Sequence, residues 1–160
     1  LFAALQPATF RVERSIDIKA SPEKVFAHVN AMHMWRGWSP WENVDPDMSR
    51  VFSGEMEGKG SAYGWKGNDK VGQGRMEIVE SVAPTKVVIK LDFIKPFEAH
   101  NTAEFVLAPS QGGTHVTWAM YGPYPYMARL VGLFASMDKM VGKDFETGLT
   151  NLKAVAEKQG

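Results

Sequence analysis

The side chains best suited to acid–base chemistry near neutral pH are four histidines, His28, His33, His100 and His115. They show no metal-ligand spacing, and the chain contains no HExxH or paired-carboxylate motif, so no metal and no cofactor is expected. There is no GxSxG, hence no nucleophile elbow. Gly72-Gln73-Gly74 lacks the downstream glycine and the following helix that a dinucleotide loop requires, and reads as a bulge or bend in a sheet. A cyclase would still need only one positioned acid or base beside an enolisable ligand. The nearest candidates for that role are His100, Glu104 and Glu80. Strand alternation puts His100 and Glu104 on an outer face unless a bulge resets the register.

Composition narrows the classes further. The absence of cysteine excludes disulfides, thiol catalysis and Cys-based zinc sites. Eighteen basic residues balance eighteen acidic ones with no basic stripe, which argues against nucleic acid as the partner. Nine Met, nine Phe and five Trp supply bulky, adaptable apolar surface, consistent with a heavy core or a ligand cavity. At 160 residues the chain suits one domain.

The elements follow from periodicity. Thr9 to Lys19 alternates, with Phe10, Val12, Arg14, Ile16 and Ile18 on one parity, and reads as a strand. Ser21-Pro22-Glu23-Lys24 opens a short helix: Ser21 caps free N–H groups and Pro22 suits the first helical position. A second short helical piece, Ala31 to Trp35, ends near Gly37. Six strands are predicted near 49–56, 60–66, 72–82, 86–94, 98–108 and 113–121, separated by Gly-, Asn- and Pro-containing turns, as an antiparallel meander. Tyr126 to Ser136 predicts a shorter apolar helix. A final amphipathic helix of about eighteen residues follows, with Val141, Phe145, Gly148, Leu149, Leu152, Val155 and Ala156 on one face. Sheet and helix each have one apolar side, so the sheet must bend around the helix. Such an arrangement easily leaves a hollow.

Parity then sorts the side chains. Met76 and Ile78, Ile89, Leu91 and Phe93, Asn101 and Phe105, and Trp118 and Met120 face the helix, while charged residues sort outward. Tyr63 and Trp65 share one face, and Phe52 is the bulky residue of its own strand. With Val141, Phe145 and Gly148 from the helix and Trp38 and Trp41 from the small helices, these are the candidate ligand-binding residues. The few interior polar groups are Asn101, the Tyr63 hydroxyl and the indole N–H groups of Trp65 and Trp118. Trp35, Trp38 and Trp41, spaced by three, read as a wedge for the small helices or as an aromatic lid. Tyr121 to Tyr126 reads as a stiff turn or an aromatic entrance rim. Gly148 in mid-helix implies either a close approach or clearance beneath the helix for a ligand.

Five segments carry a resemblance: 16–26 (IDIKASPEKVF), 38–41 (WSPW), 72–78 (GQGRMEI), 113–118 (GTHVTW) and 142–153 (GKDFETGLTNLK). On these the chain resembles the START-like superfamily, also called the Bet v 1-like or SRPBCC fold, and within it bacterial polyketide cyclase/dehydrase and lipid transport proteins. The resemblance implies an α+β helix-grip fold: a curved antiparallel sheet of about seven strands, in the order β-α-α-β6-α, wrapped around a long C-terminal helix. It also implies a small hydrophobic molecule or lipid as the partner, held by a carrier or sensor. The alternatives are a polyketide cyclase/dehydrase-type enzyme and a protein-interaction module. Residues 9–160 form the expected START-like domain. Residues 1–8, beginning Leu1-Phe2-Ala3-Ala4-Leu5, read as a remnant of an N-terminal hydrophobic segment or as a disordered leader, and on the first reading a membrane tether lies upstream of Leu1.

Overall fold

Alternating apolar residues and turn-forming breaks build one antiparallel sheet of seven strands. These are β1 (Thr9–Ile18), β2 (Ser49–Gly54), β3 (Ser61–Lys66), β4 (Gln73–Val82), β5 (Lys86–Lys95), β6 (Ala99–Ser110) and β7 (Gly113–Pro123). Their spatial order is β1-β7-β6-β5-β4-β3-β2, so the meander runs from β2 to β7 and the first strand closes onto the last. The chain is described by a computed structural model at residues 9–42, 44–45, 47–68, 71–95, 98–123 and 133–158. The expected leader at residues 1–8 and the aromatic segment Tyr124–Tyr126 lie outside these residues.

Helix α1 (Pro22–Val29) starts as predicted: the Ser21 Oγ accepts the Lys24 N–H at 3.3 Å and Pro22 occupies the first turn. Val25, Phe26 and Val29 are its buried stripe. The second piece, Met32–Gly37, is a 3-10 helix. Helix α2 runs unbroken from Leu133 to Glu157. It therefore absorbs residues 133–136 of the shorter helix expected at Tyr126–Ser136; residues 126–132 are outside the described set. Phe145, Leu149, Leu152 and Ala156 are buried along its inner face, and each large apolar side chain so buried contributes roughly 1.5–3 kcal/mol.

Strand parity holds across the sheet. Val87, Ile89, Leu91, Ala103, Phe105, Leu107, Val116, Trp118 and Met120 are all buried against the helices. Ala119, on the opposite parity, is buried too. It stands opposite Glu13 of β1 and Glu104 of β6 in the cross-strand register. The register of β4 against β5 shifts between Gln73 and Gly74, the bulge expected at Gly72-Gln73-Gly74, and again between Ile78 and Glu80.

Candidate functional site

Between the inner face of the sheet and α2 the structure encloses a cavity of about 200 Å³ that opens partly to solvent. Its buried floor is made by Trp35, Met48, Tyr63, Leu91, Ala103, Trp118, Met120 and Phe145. Trp41, Trp65, Val71, Met76, Phe93 and Val141 are half-buried and form the rim. That volume lies below the roughly 300–1,000 Å³ of drug-sized ligand sites and suits a smaller molecule.

The wall is aromatic because three elements deliver rings to one place. Trp118 of β7 is stacked between Phe145 of α2, at 4.0 Å and 8°, and Phe105 of β6, at 4.9 Å and 22°. Trp35, Trp38 and Trp41 meet that stack edge-on, with centroids 5.9, 5.4 and 5.8 Å from the Trp118 ring. Trp35 and Trp38 donate their indole N–H groups to the carbonyls of Val29 and His28, which wedges the 3-10 helix against α1. Trp41 instead stands at the rim. At the other side of the opening the Trp65 indole donates to the Val71 carbonyl at 2.8 Å and pins the β3–β4 connection. A Cβ at Gly74 would meet the Asp92 carbonyl oxygen at 2.5 Å and the Trp65 ring at 2.6 Å, so only glycine fits there. The Trp118 Nε1 is the one buried side-chain polar atom without a protein partner among the described residues.

Among the described residues the polar part of the wall is small: Ser39, Glu42, Asp144 and the Tyr63 hydroxyl. Glu42 is held by Arg50, whose Nε and Nη2 donate to its Oε2 at 2.8 and 2.7 Å. Both side chains are nearly buried, at 12% and 15% exposure. In that setting a charge needs its partner. Burial first, and then the Glu42 carboxylate, push the Tyr63 hydroxyl up to about 12, so it stays protonated and neutral. Arg50, although not part of the wall, holds the charge of Glu42 balanced.

Ten of the sequence-predicted ligand residues stand in this wall: Trp41, Tyr63, Trp65, Met76, Leu91, Phe93, Trp118, Met120, Val141 and Phe145. Others face inward but pack solidly away from the cavity. Trp38, Ile78, Ile89 and Phe105 are buried core, because parity assigns a face and not a distance to the void. Gly148 sits under the Trp118 ring and Pro40, so it serves close packing. Asn101 lies against Gly122 of β7, outside the wall. Phe52 is 39% exposed on edge strand β2, with its ring 5.0 Å from Tyr63, and borders a separate shallow depression. The candidate acid–base residues also lie off the cavity. His100 is exposed between Asp92, at 2.7 Å, and Glu98, at 2.9 Å. Glu104 faces Arg11 on the outer surface, and Glu80 pairs with Lys86 there. The β5–β6 and β6–β7 registers are regular, so nothing turns His100 or Glu104 inward.

Seven of the described wall residues are not among the ligand candidates named from the sequence: Trp35, Ser39, Glu42, Met48, Val71, Ala103 and Asp144. Ala103 and Trp35 carried a usable signal, parity in the first case and the three-residue tryptophan spacing in the second. Asp144 carried one as well, a carboxylate between Val141 and Phe145 on an apolar helix face. The remainder sit on irregular chain.

A family model described as polyketide cyclase / dehydrase and lipid transport matches residues 9–157. Three solved structures show the same fold. The Aha1 dimer from Colwellia psychrerythraea is 19% identical, with 92% of this chain and 96% of that one covered and a TM-score of 0.63. The di-domain ARO/CYC StfQ from the steffimycin biosynthetic pathway is 13% identical with a TM-score of 0.70. The match covers 94% of this chain and 51% of StfQ, about half that protein's length. Ara h 8.0201 is 12% identical over 92% of this chain and 97% of its own, with a TM-score of 0.64. At these identities the likeness is one of fold: the helix-grip fold of Bet v 1-like proteins. No curated protein matches by sequence.

Proposed function

The chain belongs to the polyketide cyclase/dehydrase and lipid transport family, and from that premise we propose that it is a carrier or sensor holding a small, largely apolar molecule between the sheet and α2. The observation that carries this reading is the partly open cavity whose wall, among the described residues, is apolar or aromatic except at Ser39, Glu42 and Asp144. A membrane tether through sequence upstream of Leu1 is part of the proposal. Among the described residues no helix is long and apolar enough to cross a bilayer, so a tether would have to come from elsewhere in the protein.

One observation favours a second reading, a cyclase-type enzyme: the Asp144 carboxylate reaches the cavity wall, where it would accept a proton from an enolisable carbon of a bound ligand. Turnover of such a ligand that survives Asp144→Ala would remove it. A protein-interaction module is supported less, because the interior holds a cavity.

The experiment is native mass spectrometry of protein purified from cells, with extraction of any bound molecule, beside titration with the neutral apolar fluorophore N-phenyl-1-naphthylamine. Ala103 is 4% exposed on the cavity floor, so Ala103→Phe should fill the space and reduce fluorophore affinity by tenfold or more, about 1.4 kcal/mol. Protein that is always empty, binds no apolar probe and gains no thermal stability from any lipid class refutes the carrier.

A further inference from the structure

Asp144 breaks the pattern of the helix that carries it. Its neighbours Val141 and Phe145 both line the cavity, and Asp144 lines it with them, half-buried, on the inward side of α2. A cation three or four residues away on the helix would stabilise a carboxylate in that position. Here the residues three and four positions off are Met140, Val141, Thr147 and Gly148, none of them basic. Among the described residues no hydrogen bond or ion pair reaches Asp144 from elsewhere in the fold. A local rule broken without a compensating contact is where a function is expected.

The rest of the wall gives that charge its meaning. Among the described residues no Lys, Arg or His lines the cavity, and the other carboxylate there, Glu42, is already neutralised by Arg50. Tyr63 is uncharged. The described part of the wall therefore presents one uncompensated negative charge beside a largely apolar surface. An anionic head, whether the carboxylate of a fatty acid or the phosphate of a lipid, would be repelled and would find no cation among the described wall residues. A protonated amine would pair with Asp144 while its hydrocarbon part filled the floor between Leu91, Ala103 and Met120. We infer that the cavity is selective for small apolar amines over acids of the same shape. The inference rests on the carrier reading and names its ligand class. With a cavity of about 200 Å³, the fitting molecule has on the order of ten non-hydrogen atoms.

The test is calorimetric titration of the intact chain near neutral pH and low salt with octylamine, octanol and octanoate, which share one tail and differ in head charge. Octylamine should bind most tightly and octanoate least, with a ratio on the order of tenfold or more between them, since attraction and repulsion by the same partly buried carboxylate both count. In Asp144→Asn the ratio should fall to within about threefold, and in Asp144→Lys it should invert. Asp144 has no structural partner to lose, so the Asn variant is expected to fold normally. Binding of all three probes without head-group preference, or a preference unchanged in Asp144→Asn, overturns the inference and leaves the carrier reading standing. Failure of every octyl probe to bind overturns both.

Discussion

Replacing Gly148 by alanine sets two sizeable effects of opposite sign against each other. Glycine within a helix costs about 1 kcal/mol relative to alanine, so at an open site Gly148→Ala would stabilise α2 by that amount. At this site the new Cβ would lie 2.8 Å from Trp118 Cζ3, 3.0 Å from Pro40 Cδ and 3.4 Å from Pro40 Cγ. Carbon atoms are comfortable at about 3.5–4.0 Å, so the ring or the helix has to give by most of an ångström. The ring is poorly placed to yield: Phe145 stacks on it at 4.0 Å and Phe105 at 4.9 Å, with three more tryptophans against its edges. Overpacking of a filled core costs about 1–3 kcal/mol, which outweighs the helical gain and leaves a net loss of roughly 1 kcal/mol. For a chain of this size that lowers the thermal midpoint by about 2–4 °C. Urea and thermal unfolding measure it, with Thr150→Ala on the exposed side of the same helix as the control for propensity, expected to be neutral or to stabilise by up to about 0.7 kcal/mol. If Gly148→Ala instead raises the midpoint as propensity alone demands, and only ligand affinity falls, then the glycine provides clearance for a bound molecule and the packing account is wrong.

Two titrations follow from the same geometry. The Tyr63 hydroxyl keeps its proton to about 12 in the folded chain against an ordinary value of 10.0. Between those values the unfolded state sheds a proton that the folded state retains, so stability should fall with rising pH in that window, and Tyr63→Phe should flatten the decline in alkaline denaturation curves. Hydrogen bonds that His100 donates to the carboxylates of Asp92 first and Glu98 second raise its pKa, so its NMR titration midpoint should lie above the ordinary 6.5 and drop in Asp92→Asn. His100 stabilises the fold below its unfolded pKa and loses that effect as pH rises through the folded value. His100→Gln should therefore change stability only on the acid side of the transition.

Most of the architecture was legible from local pattern, since period and turn chemistry are properties of neighbouring residues. The alternation of β1 and β4–β7, the capped start of α1, the β4 bulge at Gly72-Gln73-Gly74 and the inner stripe of α2 all fall where the residues place them. The outward positions of His100 and Glu104 were likewise implied by parity and hold because their registers are regular. Parity could not say which inward residues border empty space. Ile89 and Leu91 share a face and a strand, yet only Leu91 touches the cavity, because that depends on where α2 crosses the sheet. The polar chemistry of the wall was equally out of reach. Glu42 meets Arg50 across a loop without periodicity, and Asp144 stands without a partner only once the fold has placed the other described wall residues around it. Sequence alone therefore determined most of the elements and the direction most strand side chains face. Tertiary structure decided which of those side chains enclose the cavity and which charge remains uncompensated within it, because both depend on distances between elements far apart in the chain.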